Sequence, residues 1–448
     1  MQREERRVSR LGGELQLGES AGLLVKPHGI DTLAAFLGVS AEIDSPRILL
    51  VSAQEERSGG KEQGNWQKRT NTGHQQNYTW ETCLKRMRLT LDLTPTLLRS
   101  AGVKNHLYYW SRALAAARGA HEMDYYPFAH APDSLDHDRG VESGIPNWRL
   151  FLVAAMNLPA MHPLAQALVP AADVLHGSPQ LRLAPRTRIL TSHIHDLTCW
   201  LMPEFHTAAN VNAARQMAEQ VWRRADGLIA VSNSAKDDAV RLLGLNPERI
   251  QVIYHGVPET YFAVRPLRVT KPYVLNVGTV EPRKNIDGLL DAWLALPADV
   301  REAFDLVIAG PGGWKSEATL ARLESKPRGV RYLGYVGEDE LAAQTAGAAA
   351  HAYPSLYEGF GFPLAQAMAC GVPSVTSNVS SMPEVAAGSA LLVDPRSAGE
   401  LREALLKLLT SESLRKELGS IGRAYAEEHY RWDPVARESW AFFERVAG

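Results

Sequence analysis

Beyond residue 273 the chain repeats one pattern: a short apolar run, a Gly- or Pro-containing turn, then a stretch with helical spacing. Runs at 273–277, 305–309, 330–333, 349–353, 373–376 and 390–393 read as strands, and 288–296, 338–346, 363–369 and 399–409 as helices. A strand reached through a helix lies parallel to its predecessor, because the crossover returns the chain to the same edge of the sheet. Short strands alternating with helices therefore imply a parallel sheet with helices on both faces, a Rossmann-like α/β domain.

The same alternation, less regular, fills the preceding part. Residues 88–94 (RLTLDLT) alternate and meet Pro95, a Gly-containing turn follows at Ser100-Ala101-Gly102, and 107–117 has helical spacing. Strands are expected at 174–176, 188–192, 227–232 and 250–254, and a helix at 210–224. Ser232-Asn233-Ser234 is an N-cap cluster ahead of a helix at 235–243. Residues 263–272 (AVRPLRVTKP) hold two prolines and little periodic apolar content, and mark the domain boundary. Two Rossmann-like domains, 86–265 and 266–428, would face each other across a central cleft. Ligands belong there, at the carboxyl ends of the strands.

A chain of 448 residues suits two such domains, and 1–85 is left as an N-terminal extension. Residues 54–79 are polar and free of aliphatics, too little to offset ordering entropy, so the extension is expected to be partly disordered; 46–52 (PRILLVS) is a short strand candidate. A net charge of −2 gives no whole-chain support for nucleic acid as partner. Cys83, Cys199 and Cys370 are scattered, which argues against a disulfide framework or a thiolate zinc site and fits a reducing compartment. The first residues are charged with no apolar run behind them, and no apolar run approaches the ~20 residues of a membrane-spanning helix. The expectation is a cytoplasmic protein.

Three segments carry the chemistry. Residues 277–285 (VGTVEPRKN) place Arg283 and Lys284 at a strand end entering a helix. Cations there oppose the helix dipole, so a bound anion explains them better than solvent does. Residues 309–314 (AGPGGW) put Gly310 and its neighbours after a strand, where glycine permits close backbone approach. Residues 353–373 (YPSLYEGFGFPLAQAMACGVP) hold Glu358 ahead of a glycine turn feeding a helix. The main-chain N–H groups of Gly359, Phe360, Gly361 and Phe362 suit a phosphate or sugar hydroxyl, and Gln366 suits a ribose hydroxyl. A buried Glu358 needs a partner, which a ligand hydroxyl or Arg283 and Lys284 would provide.

With SSMPEVAAGSALLVDP after them, these segments stand in the order and spacing of a known family, and the chain resembles the retaining GT-B glycosyltransferases of family 4. The likeness covers residues 87–445, is strongest over 273–395, and leans to a subgroup rich in mannosyltransferases. It implies two Rossmann-like domains and a C-terminal helix, 429–448, crossing back to the first. It implies that Glu358, the first glutamate of the family's E-x7-E motif, contacts the donor sugar. Gln366 holds the second position, where the family usually has Glu on the ribose. Lys284 matches the lysine on the donor diphosphate, with Arg283 beside it. Gly278 matches a family glycine that many members follow with arginine; here Thr279 follows. His195 (in SHIHDLTCWLMP) matches the histidine facing the reaction centre, with Asp196 next to it on the acceptor side. Gly102 fits the N-terminal glycine turn, and Lys104 stands where a second glycine is common. Glu384 matches a further family glutamate.

The resemblance implies transfer of a hexose, mannose by subgroup, from a nucleotide-diphosphate sugar to a glycan or lipid-linked acceptor hydroxyl with retention, without metal or other cofactor. Two further readings stand beside it: a non-catalytic or weakly catalytic sugar-nucleotide-binding partner of another transferase, and a GT-B epimerase or hydrolase. His193 and His195 lie on one face of a strand, and a metal site there lacks a third ligand of known spacing, so His193 reads as a core histidine. Asp136-His137-Asp138 reads as a solvated loop. The apolar stretch 146–169 suits a core or lid helix, or an amphipathic helix giving peripheral contact with the inner membrane face.

Overall fold

The structure is a computed structural model that describes residues 86–97, 102–127, 151, 154–183 and 185–448. The extension, Cys83, Ala101 and the Asp136-His137-Asp138 loop lie outside the described residues.

Among the described residues twelve strands form two six-stranded sheets. The first orders as β2-β1-β3-β4-β5-β6, from β1 (Arg88–Asp92), β2 (Glu122–Tyr126), β3 (Val174–Gly177), β4 (Ile189–Ile194), β5 (Gly227–Ala230) and β6 (Ile250–Val252). The second orders as β12-β11-β10-β7-β8-β9, from β7 (Tyr273–Val277), β8 (Asp305–Ala309), β9 (Val330–Gly334), β10 (Ala350–Tyr353), β11 (Ser374–Ser377) and β12 (Ala390–Val393). Every pairing between these strands is parallel. The protein has the two-domain Rossmann-like α/β architecture of the GT-B fold.

Both sheets reverse direction once. The second grows outward from β7 through β8 to β9, then returns so that β10 pairs with the other side of β7. Loops leaving two such strands diverge to opposite faces and open a crevice between them. The loop after β7 carries Arg283 and Lys284, and the loop after β10 carries Glu358. The order of strands, not sequence distance, brings those segments together.

Apart from the 46–52 strand candidate, which lies outside the described residues, the expected strands and helices form within a few residues of their predicted limits, with four departures. Strand β2 has no counterpart among the expected strands: it is an edge strand of sequence EMDYY, half-exposed over its first three residues, so it shows no clean apolar period. The helix expected at 107–117 begins five residues earlier, as α1 (Gly102–Ala117). The helix expected at 210–224 is Ala208–Met217, closed by a wide π turn over Ala218–Trp222. Within the described residues of the stretch 146–169, turns at 157–161 precede a short helix, His162–Gln166, with Pro163 in its first turn. Among the described residues no helix is long and apolar enough to cross a membrane.

The last helix, Trp432–Ala447, packs on α1. Trp440, Phe442 and Phe443 are buried with Trp110 and Leu114, and indole hydrogen bonds run both ways, Trp440 to the Leu114 carbonyl at 3.0 Å and Trp110 to Ser439 Oγ at 3.0 Å. A second apolar seam joins Val231, Ala235 and Ala239 of the first half to Phe360, Leu364, Met382 and Tyr430. The two sheets thus share buried surface beside the crevice.

Candidate active site

Glu358 lies at the centre of a buried charge cluster. It is 6% exposed, and Lys284 beside it 9%. Lys284 Nζ donates to Glu358 Oε1 at 2.6 Å, and the Tyr353 hydroxyl donates to the same oxygen at 2.8 Å. Arg283 donates to Glu358 Oε2 at 2.7 Å and to Glu281 Oε1 at 2.7 Å. Two carboxylates thus neutralise two cations. Burial alone would raise the Glu358 carboxyl, but Arg283 and Lys284 outweigh it and hold it down at about 2. Burial, then the neighbouring guanidinium, pushes the Lys284 ammonium below its ordinary range, with Glu358 opposing. Its Nζ stays in direct hydrogen-bonded contact with the Glu358 carboxylate.

From sequence, a bound anion explains Arg283 and Lys284 better than solvent does; in this structure the two cations are balanced by protein carboxylates. They sit in a tight turn, Pro282–Lys284, ahead of the helix Ile286–Leu294, and their counter-charges come from the protein. Of the two partners open to Glu358, the cations are the ones it has here. Glu281 and Tyr353 join the site without having stood out in the sequence. The available signal is an acid beside two bases in EPRKN, and a strand-end tyrosine before YEGFG.

Glycine closes the frame. A Cβ at Gly310 (φ 147°) would stand 2.0 Å from the carbonyl oxygen of Gly278, so the turns after β7 and β8 touch only because residue 310 carries no side chain. A Cβ at Gly359 would stand 1.7 Å from the carbonyl oxygen of His195, in the other half of the protein. Gly361 ends the turn and precedes the helix Phe362–Ala369, in which Gln366 is buried and makes no side-chain hydrogen bond among the described residues. Phe360 and Phe362 pack across the cleft, Phe362 stacking on His255 with centroids 4.5 Å apart and planes at 10°.

On the facing side His195 follows β4 directly, and its Nε2 is buried with no partner. Burial lowers its pKa to about 4, with Asp196 opposing, so the ring is neutral at pH 7. It belongs to a group of five imidazoles that sequence did not reveal as a group. His176 Nε2 and His193 Nδ1 share a 2.6 Å hydrogen bond, and His106 stands 4.7 Å from His193, 5.3 Å from His195 and 4.2 Å from His255 between ring centroids. His193 is buried, as a core histidine should be. Among the described residues no group of three or more His, Cys, Asp or Glu is placed to hold a metal.

The other acceptor-side candidates are placed less suggestively. Asp196 Oδ1 accepts from the Thr198 main chain at 3.1 Å and hydroxyl at 2.7 Å, closing the turn that starts the next helix. Gly102 opens α1, and a Cβ added to it would meet nothing within 4 Å, so no close approach requires glycine there. Lys104 is fully buried in the first turn of α1 rather than extended toward solvent-borne phosphate.

The chain is similar to known proteins in sequence and in fold. Residues 258–425 match the family described as "Glycosyl transferases group 1", and residues 100–261 match "Glycosyltransferase Family 4". The O-antigen chain mannosyltransferase B of Escherichia coli is 31% identical over 287 residues, 61% of this chain and 75% of that protein. Solved structures share the fold. A sucrose-phosphate synthase from Thermosynechococcus elongatus superposes with a TM-score of 0.62 at 19% identity, covering 81% of this chain and 99% of that one. The Anabaena protein HepE, solved with UDP-glucose, superposes with a TM-score of 0.60 at 18% identity, covering 81% and 100%.

Proposed function

The chain belongs to the group 1 glycosyltransferases, enzymes of GT-B fold that use a nucleotide-sugar donor, and from that premise we propose that it transfers mannose to a glycan or lipid-linked hydroxyl with retention at the anomeric carbon. The observation that carries this reading is the Glu358 cluster at the switch point of the second sheet. A nucleotide diphosphate entering the crevice brings negative charge to Arg283 and Lys284. Each cation then exchanges part of its contact with Glu358 for a phosphate oxygen, and the released carboxylate accepts a hydrogen bond from a sugar hydroxyl. Binding a donor and arming Glu358 become one event.

The charge that develops on the departing diphosphate is stabilised by the two cations and by main-chain N–H groups of 359–362, which supply what a divalent ion supplies elsewhere. Gly278 and Gly310 let the backbone approach the donor, and Gln366 offers its amide to the ribose. Neutral His195 faces the sugar from the other domain. An incoming acceptor hydroxyl gives its proton to the leaving phosphate on the same face of the sugar, so no side-chain nucleophile is required. The mannose assignment rests on the E. coli relative at 31% identity.

The test is release of nucleoside diphosphate from guanosine diphosphate-mannose with and without a mannosyl acceptor, with the anomeric configuration of the product read by NMR. Acceptor-dependent release and a product of donor configuration are expected. Acceptor-independent release would indicate a hydrolase, and binding without release a partner protein; inversion would remove the retaining mechanism.

A further inference from the structure

Glu384, in the short helix Met382–Ala386, takes no part in the charge cluster, yet its carboxylate is saturated by the opposite half of the protein. Its Oε1 accepts from the main-chain N–H of Asn233 at 2.8 Å, the Asn233 side-chain amide at 2.7 Å and the Tyr254 hydroxyl at 2.8 Å. Its Oε2 accepts from the main-chain N–H of Ser234 at 3.3 Å. The helix Asn233–Leu243 opens with N–H groups that have no carbonyl to bind. Ser232 Oγ takes the third of them, Ala235, at 3.0 Å, and Glu384 takes the first two. A carboxylate from one domain therefore completes the N-terminal cap of a helix in the other, where the helix dipole also favours it.

The contact is wired to the reactive loop. Ser381, immediately before the Glu384 turn, donates through Oγ to the Glu358 carbonyl at 2.9 Å and the Phe360 carbonyl at 3.0 Å, and Ser380 Oγ accepts from the Glu358 N–H at 3.0 Å. From the other side Ser232 Oγ donates to the Gly359 carbonyl at 2.6 Å, and Tyr357 donates to Asp238 of the same helix at 2.7 Å. Apart from the one from Tyr254, these bonds across the cleft end on a single helix and its cap residue, and all require the two sheets in their present relation.

We infer that Glu384 is the clasp of domain closure, a positioning residue that holds the Glu358 loop against His195 during transfer and releases it for nucleotide exchange. The carboxylate is half-buried, so water competes for it, and a bond of that kind opens readily. The donor phosphate contacts proposed above come from the second domain alone, so on this reading they do not depend on closure. The proposal rests on the transferase reading for its kinetic part alone; its geometric part stands apart from activity.

The experiment compares wild type with Glu384→Ala, Glu384→Gln, Tyr254→Phe and the variant that combines Glu384→Ala with Tyr254→Phe. It uses solution scattering for domain separation, calorimetry with guanosine or uridine diphosphate, and steady-state turnover. Glu384→Ala is expected to enlarge the radius of gyration, leave nucleoside diphosphate affinity within about threefold, and lower kcat at least about tenfold, as loss of one closed-state contact does. Gln, which still accepts through one oxygen, should recover part of the loss. Tyr254→Phe should lower kcat less, and add little once Glu384 is already Ala, because both remove one clasp. Unchanged scattering and kcat would overturn the proposal, as would an equal fall in nucleotide affinity and kcat, which marks a general defect of the donor site. If Glu384→Ala does not fold, Tyr254→Phe decides by the same criteria. If wild type shows no transfer at all, the transferase reading fails while the scattering comparison still decides the clasp.

Discussion

Replacing Glu358 by Gln should separate nucleotide binding from turnover. In the free protein Lys284 Nζ and Arg283 Nη1 spend contacts of 2.6 and 2.7 Å on the two oxygens of Glu358. A diphosphate has to compete with that carboxylate for both cations. Two unit charges about 4 Å apart interact by about 4 kcal/mol at an effective dielectric near 20. If a third of that competition is relieved when the carboxylate becomes an amide, nucleoside diphosphate should bind about tenfold tighter. Turnover should nevertheless fall by about a hundredfold or more, because the amide is a weaker acceptor for a sugar hydroxyl in the transition state. Lys284→Met moves affinity the other way: two carboxylates then face Arg283 alone, and affinity should drop about tenfold or more. Both variants leave a buried charge short of a partner and should lose about 3 kcal/mol of stability, which saturating nucleotide restores more fully in Glu358→Gln. Titration calorimetry and thermal unfolding with the diphosphate measure all of this. If Glu358→Gln weakens nucleotide as much as Lys284→Met does, the carboxylate is not a competitor and the exchange mechanism is wrong.

The imidazole group makes stability depend on pH. Burial lowers His176 to about 3 and His195 to about 4, and lowers His106, His193 and His255 as well, against about 6.5 in an unfolded chain. Below pH 6.5 the unfolded state therefore binds more protons than the folded state, so stability is full above that pH and falls as pH drops toward the folded values, by up to ~1.4 kcal/mol per pH unit for each group; a melting temperature flat from pH 7.5 to 5 would contradict the burial. Gly359→Ala should leave each sheet folded, since the clash at 1.7 Å is with the His195 carbonyl across the cleft, while kcat falls at least about a hundredfold. Wild-type activity in that variant would mean that the cleft need not close this far.

Much of the scaffold is readable because the parallel α/β pattern is local. The runs at 273–277, 305–309 and 390–393 are short, apolar and bounded by turn residues, and each forms the strand expected. Strand β2 escapes because an edge strand with half-exposed residues loses that signature. In the site, Glu358, Arg283 and Lys284 are legible as chemistry-bearing residues in glycine-punctuated loops, and their pairing as one of two open alternatives, which only the folded chain settles. His106, His176 and His255 are invisible as a group, because they come from a helix, a strand and a loop far apart in the chain. Lys104 shows the same limit: nothing in the residues around it in the sequence marks it as fully buried.

Sequence alone determined the repeating strand–helix unit, the placement of glycine at close approaches, and the identity of the charged groups, since each depends on a few adjacent residues and their backbone preferences. Tertiary structure decided who faces whom. Strand order put the loops after β7 and β10 side by side and so paired Glu358 with Arg283 and Lys284. The docking of the two sheets gave Glu384 a helix N-terminus to cap and set Gly359 against His195. Those relations join residues on opposite sides of a cleft, and they arise only when two cores have formed and buried a common seam.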